Sequence, residues 1–313
     1  MAYKTVFIVN PESRAGITDR LWHQREMALK KQGITPEVRI TTGPLHATRL
    51  TAQALSDGFD HIVSVGGDGT LNEVVNGFFK DGALINPEAR LSAVSFATGG
   101  DLARILPLQG EPEDINVLLS DAAHPFKCDV IRADFTDWNR NPASRYFINV
   151  SDVGIGCETV IRVNNKSKAL GGLISFFSSA MASLLTAHNI DMEIIADGEV
   201  FFEGPVTMAV IANGRYFGSG MYASPTAELD DGLMDLTVFK DFSRTHMMFS
   251  IPKIYNGKYL DNPRVGCCKA KTVEFKSHSP FHFEMDGETP GLGNVKYQIL
   301  PGAMNMLLSQ RKQ

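Results

Sequence analysis

Residues 63–77 have the sequence Val-Ser-Val-Gly-Gly-Asp-Gly-Thr-Leu-Asn-Glu-Val-Val-Asn-Gly. An apolar run leads into closely spaced glycines and then into apolar residues at helical spacing, so the stretch predicts a strand, a tight turn and a helix. Glycine lets a ligand approach the main chain, and the first turn of a helix offers N–H groups at its positive end. The turn is therefore a candidate anion site.

The same alternation of strands and helices covers the first part of the chain. Apolar runs predict strands at 4–9, 38–41, 61–65 and 91–96, and helical spacing predicts helices at 18–31, 45–56 and 72–79. Short strands that alternate with helices indicate a mostly parallel sheet covered on both faces, with ligands at the carboxyl ends of its strands. We predict an N-terminal α/β domain over residues 1–125.

The pattern changes at about residue 126 to short β segments separated by turns. Strands are predicted at 126–135, 146–150, 192–196, 200–203, 206–212, 233–239, 265–276, 281–285 and 295–300. Asp197-Gly198 between two such runs predicts a hairpin. We therefore expect an antiparallel β-rich C-terminal domain over residues 126–313, and a return of the last residues to the first domain is left open.

The overall composition is typical of a globular protein. The chain has 313 residues, 43% of them hydrophobic and 21% charged, and a formal net charge of -5. A net negative charge gives no general attraction to nucleic acid, so we expect no nucleic-acid partner. The four cysteines show no paired spacing, and no export signal is visible at the start, which favours a reducing cytoplasm.

Residues 169–187 form a run of nineteen residues without a formal charge. Glycines and serines dilute the run, while its larger apolar residues recur at helical spacing, so we favour a helix buried in the protein core. The alternative is a surface that rests on an anionic membrane, because Arg162, Lys166 and Lys168 come just before it. A membrane-spanning helix is the least favoured interpretation.

Asp68 lies inside the glycine turn, which lacks the lysine and the following serine or threonine of a P-loop. A carboxylate repels phosphate unless a divalent metal or water lies between them, so a phosphate ligand would imply a metal ion. The alternative interpretation is a plain strand-to-helix turn in which Asp68 caps the helix.

Five motifs in order carry a resemblance to a known family. They are Asn10-Pro11-Glu12-Ser13, the run from Gly66 to Glu73, Thr98-Gly99-Gly100-Asp101-Leu102-Ala103-Arg104, residues 230–235, and Met285-Asp286-Gly287-Glu288. The first three resemble the nucleotide-site motifs of the diacylglycerol kinase catalytic superfamily, and the others continue the resemblance over nearly the whole chain. This implies an N-terminal domain of the NAD kinase and phosphofructokinase type. One position departs from the pattern, because Gly100 stands where the family usually has asparagine.

The resemblance also implies the site residues. Glu288 corresponds to the proton acceptor with Asp286 beside it, and Asp68 joins them as a catalytic residue. Mg2+ would be held by Asp231 with the carbonyls of Glu228 and Leu233. The implied ATP contacts are Asn10, Thr41, Gly66, Gly67, Asp68, Gly69, Thr70, Leu71, Asn72 and Thr98.

The function implied is that of an ATP-dependent lipid kinase, which transfers the γ-phosphate to a hydroxyl of diacylglycerol or a related lipid alcohol with Mg2+. Peripheral contact with a membrane surface is expected, and a homodimer is left open. Two alternatives remain. NAD kinases share the Gly-Gly-Asp-Gly-Thr turn, and Gly100 would also suit a silent regulator that binds lipid or nucleotide without catalysis.

Overall fold

The computed structural model describes residues 3–96, 100–108, 110–155, 157, 188–218 and 220–312. The chain divides into two compact units. Unit 1 comprises Met1–Cys128 and Gly302–Gln313, and unit 2 comprises Asp129–Pro301. Each division falls inside a long strand, the first in β7 (His124–Asp137) and the second in β18 (Gly291–Leu308).

Unit 1 contains a parallel sheet with helices. Its elements are β1 (Thr5–Val9), α1 (Ile17–Lys31), β2 (Glu37–Ile40), α2 (His46–Ser56), β3 (His61–Val65), α3 (Asp68–Gly77), β4 (Phe79–Lys80), β5 (Ala83–Leu84), β6 (Arg90–Val94), a 3-10 turn (Leu102–Arg104) and α4 (Pro112–Leu118). The strand order is the last part of β18, then β6, β3, β1 and β2, with all neighbours parallel. All five residues of β3 are buried, as expected for a central strand covered on both faces.

The core of unit 1 contains one buried histidine. His61 contacts Ser92 Oγ through Nε2 at 2.8 Å and Thr5 Oγ1 through Nδ1 at 3.0 Å. Burial, with a smaller contribution from the positive charge of Arg90, lowers the pKa of His61 to about 4. The ring is therefore neutral near pH 7 and bridges three strands of the sheet.

Unit 2 is built from antiparallel strands. Its elements are β8 (Pro142–Phe147), β9 (Val150–Gly154), β10 (Ile190–Ala196), β11 (Glu199–Ala212), β12 (Tyr216–Phe217), β13 (Met221–Tyr222), β14 (Met234–Lys240), α5 (Arg244–Ile254), β15 (Val265–Ala270), β16 (Thr272–Lys276) and β17 (Phe283–Met285). The order β15-β14-β11-β10-β16-β18 forms the main path, β9 pairs with β11 and β17, and β7 pairs with β8. A large apolar cluster lies among these strands.

The predicted fold class is confirmed, with an α/β first unit and a β-rich second unit. The predicted hairpin at Asp197-Gly198 is also confirmed, because Ala196 pairs with Glu199 across a two-residue turn. Helix α3 begins at Asp68, four residues before the predicted start at 72, since the helix follows the glycine turn directly. The predicted strand 265–276 divides into β15 and β16, and the predicted strand 146–150 falls partly in β8 and partly in β9.

The uncharged segment 169–187 and its preceding cations lie outside the described residues. Among the residues that are described, no helix has both the length and the apolar content needed to cross a membrane.

Candidate functional site

The carboxyl ends of three parallel strands in unit 1 bring predicted site residues to one edge of the sheet. Asn10 follows β1, Thr41 follows β2 and Gly66 follows β3. The backbone ladder continues through them, because Asn10 N donates to Val65 O at 3.0 Å and Thr41 N to Val9 O at 2.8 Å. The sheet thus places residues that are up to 56 positions apart in sequence along the same edge.

The glycine turn packs tightly against the start of α3. A Cβ at Gly66 would lie 2.5 Å from Thr70 Oγ1, so only glycine fits there without a shift. Thr70 Oγ1 in turn accepts a hydrogen bond of 2.9 Å from Asn10 Nδ2. Gly67 precedes the helix, and no side chain caps the helix N-terminus. The first backbone N–H groups of α3 therefore point to an edge where an anion could accept them.

The side chains of Thr70, Leu71 and Asn72 are buried within unit 1. A ligand on the turn would consequently contact the backbone of these residues, while their side chains pack inside unit 1. Gly69 differs, since a Cβ at this position would have no atom within 4 Å. Thr98, the remaining predicted ATP contact, lies outside the described residues.

Asp68 lies in the first turn of α3, and its side chain accepts a hydrogen bond from the loop after β6. Its Oδ2 accepts a hydrogen bond of 2.8 Å from Asp101 N. Burial raises the pKa of Asp68, and the hydrogen bond from Asp101 opposes this rise. A Cβ at Gly100 would lie 3.1 Å from Asp68 Oδ1. The position at which this chain has glycine in place of the family's asparagine is therefore one where the backbone closely approaches the Asp68 carboxyl group.

In unit 2, Asp286 lies in the two-residue turn of a hairpin, and Glu288 is the first residue after the turn. Met285 N donates to Glu288 O at 2.8 Å, and Glu288 N donates to Met285 O at 3.0 Å. Asp286 and Gly287 have φ angles of 47° and 89°, as a type I′ turn requires. Asp286 Oδ1 accepts from Val150 N at 3.0 Å, which ties the turn to β9. Glu288 is exposed, so the hairpin presents one carboxylate to the outside and uses the other as an anchor.

The sequence prediction missed Glu284 and Asp152, two fully buried acids beside this hairpin. Glu284 is 3% exposed, and its Oε2 accepts from Gly287 N at 2.7 Å. Glu284 lies between Phe283 and Met285 in β17, and Asp152 lies between Ser151 and Val153 in β9. An acid in the middle of a buried strand is the signal that could have revealed them.

The residues predicted to hold Mg2+ in unit 2 do not fit a metal ion as they are arranged. Asp231 Oδ1 accepts from Leu233 N at 3.0 Å, and its Oδ2 contacts Lys269 Nζ at 2.5 Å. The same ammonium group lies 3.1 Å from Asp235 Oδ2. Both oxygens of Asp231 therefore have protein partners, and Glu228 is exposed in the loop before them. In the described part of the chain, no three acidic, histidine or cysteine side chains are grouped as a metal site.

Comparisons with known proteins match both halves of the chain. The family described as Diacylglycerol kinase catalytic domain matches residues 4–132, and the family described as YegS C-terminal NAD kinase beta sandwich-like domain matches residues 151–308. The "Diacylglycerol kinase" of Staphylococcus carnosus is 26% identical over 93% of this chain and 90% of its own length. The "Probable lipid kinase YegS-like" of Stenotrophomonas maltophilia is 26% identical over 88% of each chain.

Solved structures show the same fold. A diacylglycerol kinase from Bacillus anthracis strain Sterne superimposes with a TM-score of 0.68 at 19% identity, covering 98% of this chain and 97% of that chain. Yeast NADH kinase complexed with NADH superimposes with a TM-score of 0.59 at 13% identity, covering 100% of this chain and 85% of the other. The two-part architecture is thus common to kinases named for lipid and for dinucleotide substrates.

Proposed function

We propose that this chain, which belongs to the family that joins a diacylglycerol kinase catalytic domain to a YegS C-terminal domain, is an ATP-dependent lipid kinase. The reaction would transfer the γ-phosphate of ATP to a hydroxyl group of diacylglycerol or a related lipid alcohol. The observation that carries the proposal is the glycine turn of unit 1, which packs Gly66 against Thr70 and leaves the start of α3 uncapped at the sheet edge.

The nucleotide phosphates would accept hydrogen bonds from the backbone of the turn. Gly67 and Gly69 supply N–H groups and have no side chains that would block a phosphate. The turn has no lysine, so the phosphate charge needs another cation. Asp68 fits a Mg2+ ion that arrives with the nucleotide, because Mg2+ prefers one or two carboxylates together with phosphate oxygens, and the ion would neutralise charge on the phosphates. We propose no Mg2+ at Asp231, where Lys269 already supplies a positive charge.

Glu288 would accept the proton of the lipid hydroxyl. Its exposed carboxylate projects from a turn whose backbone is fixed by two cross-strand hydrogen bonds. A base held in one position lowers the entropic cost of bringing the hydroxyl to the γ-phosphorus. Asp286 would act indirectly, since its Oδ1 is bonded to Val150 N and orients the turn.

Peripheral membrane contact would involve the outward face of α5. This helix buries Met247 and Ile254 in unit 2, yet Met248 is 44% exposed and Phe249 is 68% exposed. Apolar residues on the outside of a helix that already has a buried face favour a second apolar contact. Residues 243–260 contain no acid, and their cations are Arg244, Lys253 and Lys258. An anionic lipid surface matches both the apolar side chains and the positive charge.

The test is phosphorylation of a substrate panel with labelled ATP and Mg2+. The panel contains diacylglycerol, a sphingoid base and other lipid alcohols in mixed micelles, with NAD as a separate reaction. We expect product only from lipid. Phosphorylation of NAD alone would support the NAD kinase alternative, and ATP binding without turnover on any lipid would support the silent regulator.

A matched pair of variants tests the base. Glu288→Gln should lower kcat by about 10²- to 10⁴-fold with ATP binding retained, because the amide cannot accept the proton. Glu274→Gln makes the same change on β16, at a carboxylate that accepts a hydrogen bond from Lys296, and should leave kcat unchanged. Equal activity of Glu288→Gln and the unmodified protein would remove Glu288 from the mechanism.

A further inference from the structure

Asp152 and Glu284 are directly opposite each other in the pair of β9 and β17. The antiparallel register joins Phe283 to Val153, Glu284 to Asp152 and Met285 to Ser151. Opposite residues of an antiparallel pair project to the same face, so the two carboxyl groups meet. They are in hydrogen-bonding contact, and Asp152 and Glu284 are 0% and 3% exposed.

Two ionised carboxylates cannot make this contact, because each can only accept a hydrogen bond. The backbone of Cys157 supplies a hydrogen bond to Asp152 and opposes the rise of its pKa, but this bond supplies no donor between the two carboxyl groups. The other titratable side chains that interact with the pair are Asp286 and Tyr297, and neither carries a positive charge. One proton placed between the two groups removes the repulsion and supplies a donor for the contact between them.

The electrostatics of the site agree with this arrangement. Burial raises the pKa of Asp152 to about 7. Burial and the neighbouring Asp152 raise the pKa of Glu284 well above its usual value. Because such coupled groups titrate as a unit, the pair keeps its shared proton to a higher pH than an isolated carboxyl group would.

The pair is linked to the hairpin that carries Glu288. Glu284 Oε2 accepts from Gly287 N at 2.7 Å, and Gly287 lies between Asp286 and Glu288. Loss of the shared proton would place two contacting negative charges in a buried seam between β9 and β17. Their repulsion would separate the strands and move the turn.

We propose that Asp152 and Glu284 hold one proton between them and that this carboxyl pair positions Glu288. The inference rests on the proposed function of Glu288. In it, Asp152 and Glu284 are positioning residues that act through Gly287 and touch no substrate. The proton is released to solvent as the pH rises, so the geometry of the hairpin, and with it kcat, falls in the alkaline range.

The first experiment needs no activity. Infrared spectra of the nucleotide-free protein near pH 7 should contain the carbonyl stretch of a protonated carboxylic acid. Asp152→Asn and Glu284→Gln each replace the proton donor with an amide of similar shape, so a component of this band should be lost in both variants. Glu274→Gln, which changes an ionised surface carboxylate, should leave the band unchanged.

The second experiment is the pH profile of kcat. The unmodified protein should lose activity on an alkaline limb, and both amide variants should keep kcat near pH 7 within about threefold while their limb moves up by at least about one pH unit. The use of two variants keeps the test valid if one fails to fold. A band that persists in both variants, or an alkaline limb that is absent or unmoved, would overturn the carboxyl pair. Loss of the band component in a protein that phosphorylates no lipid would instead refute the proposed function alone.

Discussion

Replacing Gly66 by alanine should destabilise unit 1 through a steric overlap that can be worked out from the structure. The new Cβ would lie 2.5 Å from Thr70 Oγ1, 2.7 Å from Thr70 Cβ and 3.0 Å from Thr70 Cγ2. Thr70 is 6% exposed, so its side chain has little room to move away. Overpacking of this kind costs about 1–3 kcal/mol, and loss of the bond between Asn10 and Thr70 adds about 1 kcal/mol. We therefore expect a loss of about 2–4 kcal/mol in the free energy of unfolding.

Gly69→Ala is the matched control, three residues further along the same turn. No atom lies within 4 Å of a Cβ at Gly69, and the residue is inside α3. Because alanine has a higher helix propensity than glycine, the variant should be unchanged or more stable by up to about 1 kcal/mol. If phosphates rest on this turn, the added methyl group should weaken ATP binding without a loss of stability.

Denaturant unfolding followed by tryptophan fluorescence measures both variants. Trp22 is 3% exposed and its ring packs 4.8 Å from Phe7 in unit 1, whereas Trp138 in unit 2 is already 53% exposed. The fluorescence change should therefore report mainly on unit 1. Equal stability of Gly66→Ala and the unmodified protein, or equal losses in both variants, would refute the argument from close packing.

Three further outcomes are expected. Neither Mg2+ nor a chelator should change the Tm of the nucleotide-free protein or of the control variant Lys271→Ala. Lys269→Ala should instead be stabilised by Mg2+, because its acidic loop then lacks a counter-charge. Mg2+-dependent stability in the unmodified protein would contradict this. The folded pKa of His61, about 4, is below the unfolded value, so its contribution to stability is present above about pH 6.5 and is lost as the pH falls. Between pH 7 and pH 5 this loss is about 2 kcal/mol, which His61→Gln should abolish in unfolding titrations, and an equal loss in the variant would argue against it. Phe249→Glu should reduce co-sedimentation with anionic vesicles, while Val200→Glu, at a similarly exposed position, should not; equal binding by both would exclude α5 as the membrane contact.

The sheet of unit 1 could be predicted because each of its strands has a clear signal in the local sequence. A buried parallel strand is a short apolar run, as at His61–Val65, and the glycines after it mark the turn. The start of α3 was misplaced because Asp68, Gly69 and Thr70 have low helix propensity. In the folded chain the contact of Thr70 with the turn and with Asn10 outweighs that propensity.

The acidic groups of unit 2 show what a single sequence cannot supply. Asp152 and Glu284 are 132 positions apart, and only the register of β9 against β17 brings them together. Lys269 reaches Asp231 for a similar reason, since β15 pairs with β14 beside the acidic loop. Strand order and register depend on packing between distant segments, so motifs could point to acidic residues but not to the partner that each one meets.

The partners of the acids also separate two kinds of carboxyl group. Asp68, Asp286 and Glu284 each accept a hydrogen bond from a backbone N–H group. Such a bond fixes the orientation of a carboxyl group but leaves most of its negative charge without compensation. Asp231, in contrast, is neutralised by the ammonium group of Lys269. A buried carboxylate that only accepts from a backbone N–H group costs stability unless a cation or a proton offsets its charge. Such a carboxylate can therefore bind Mg2+ with a nucleotide or share a proton. Asp231 already has its cation, so we assign Asp68 to the reaction, and Asp286 and Glu284 to the positioning of the hairpin that carries Glu288.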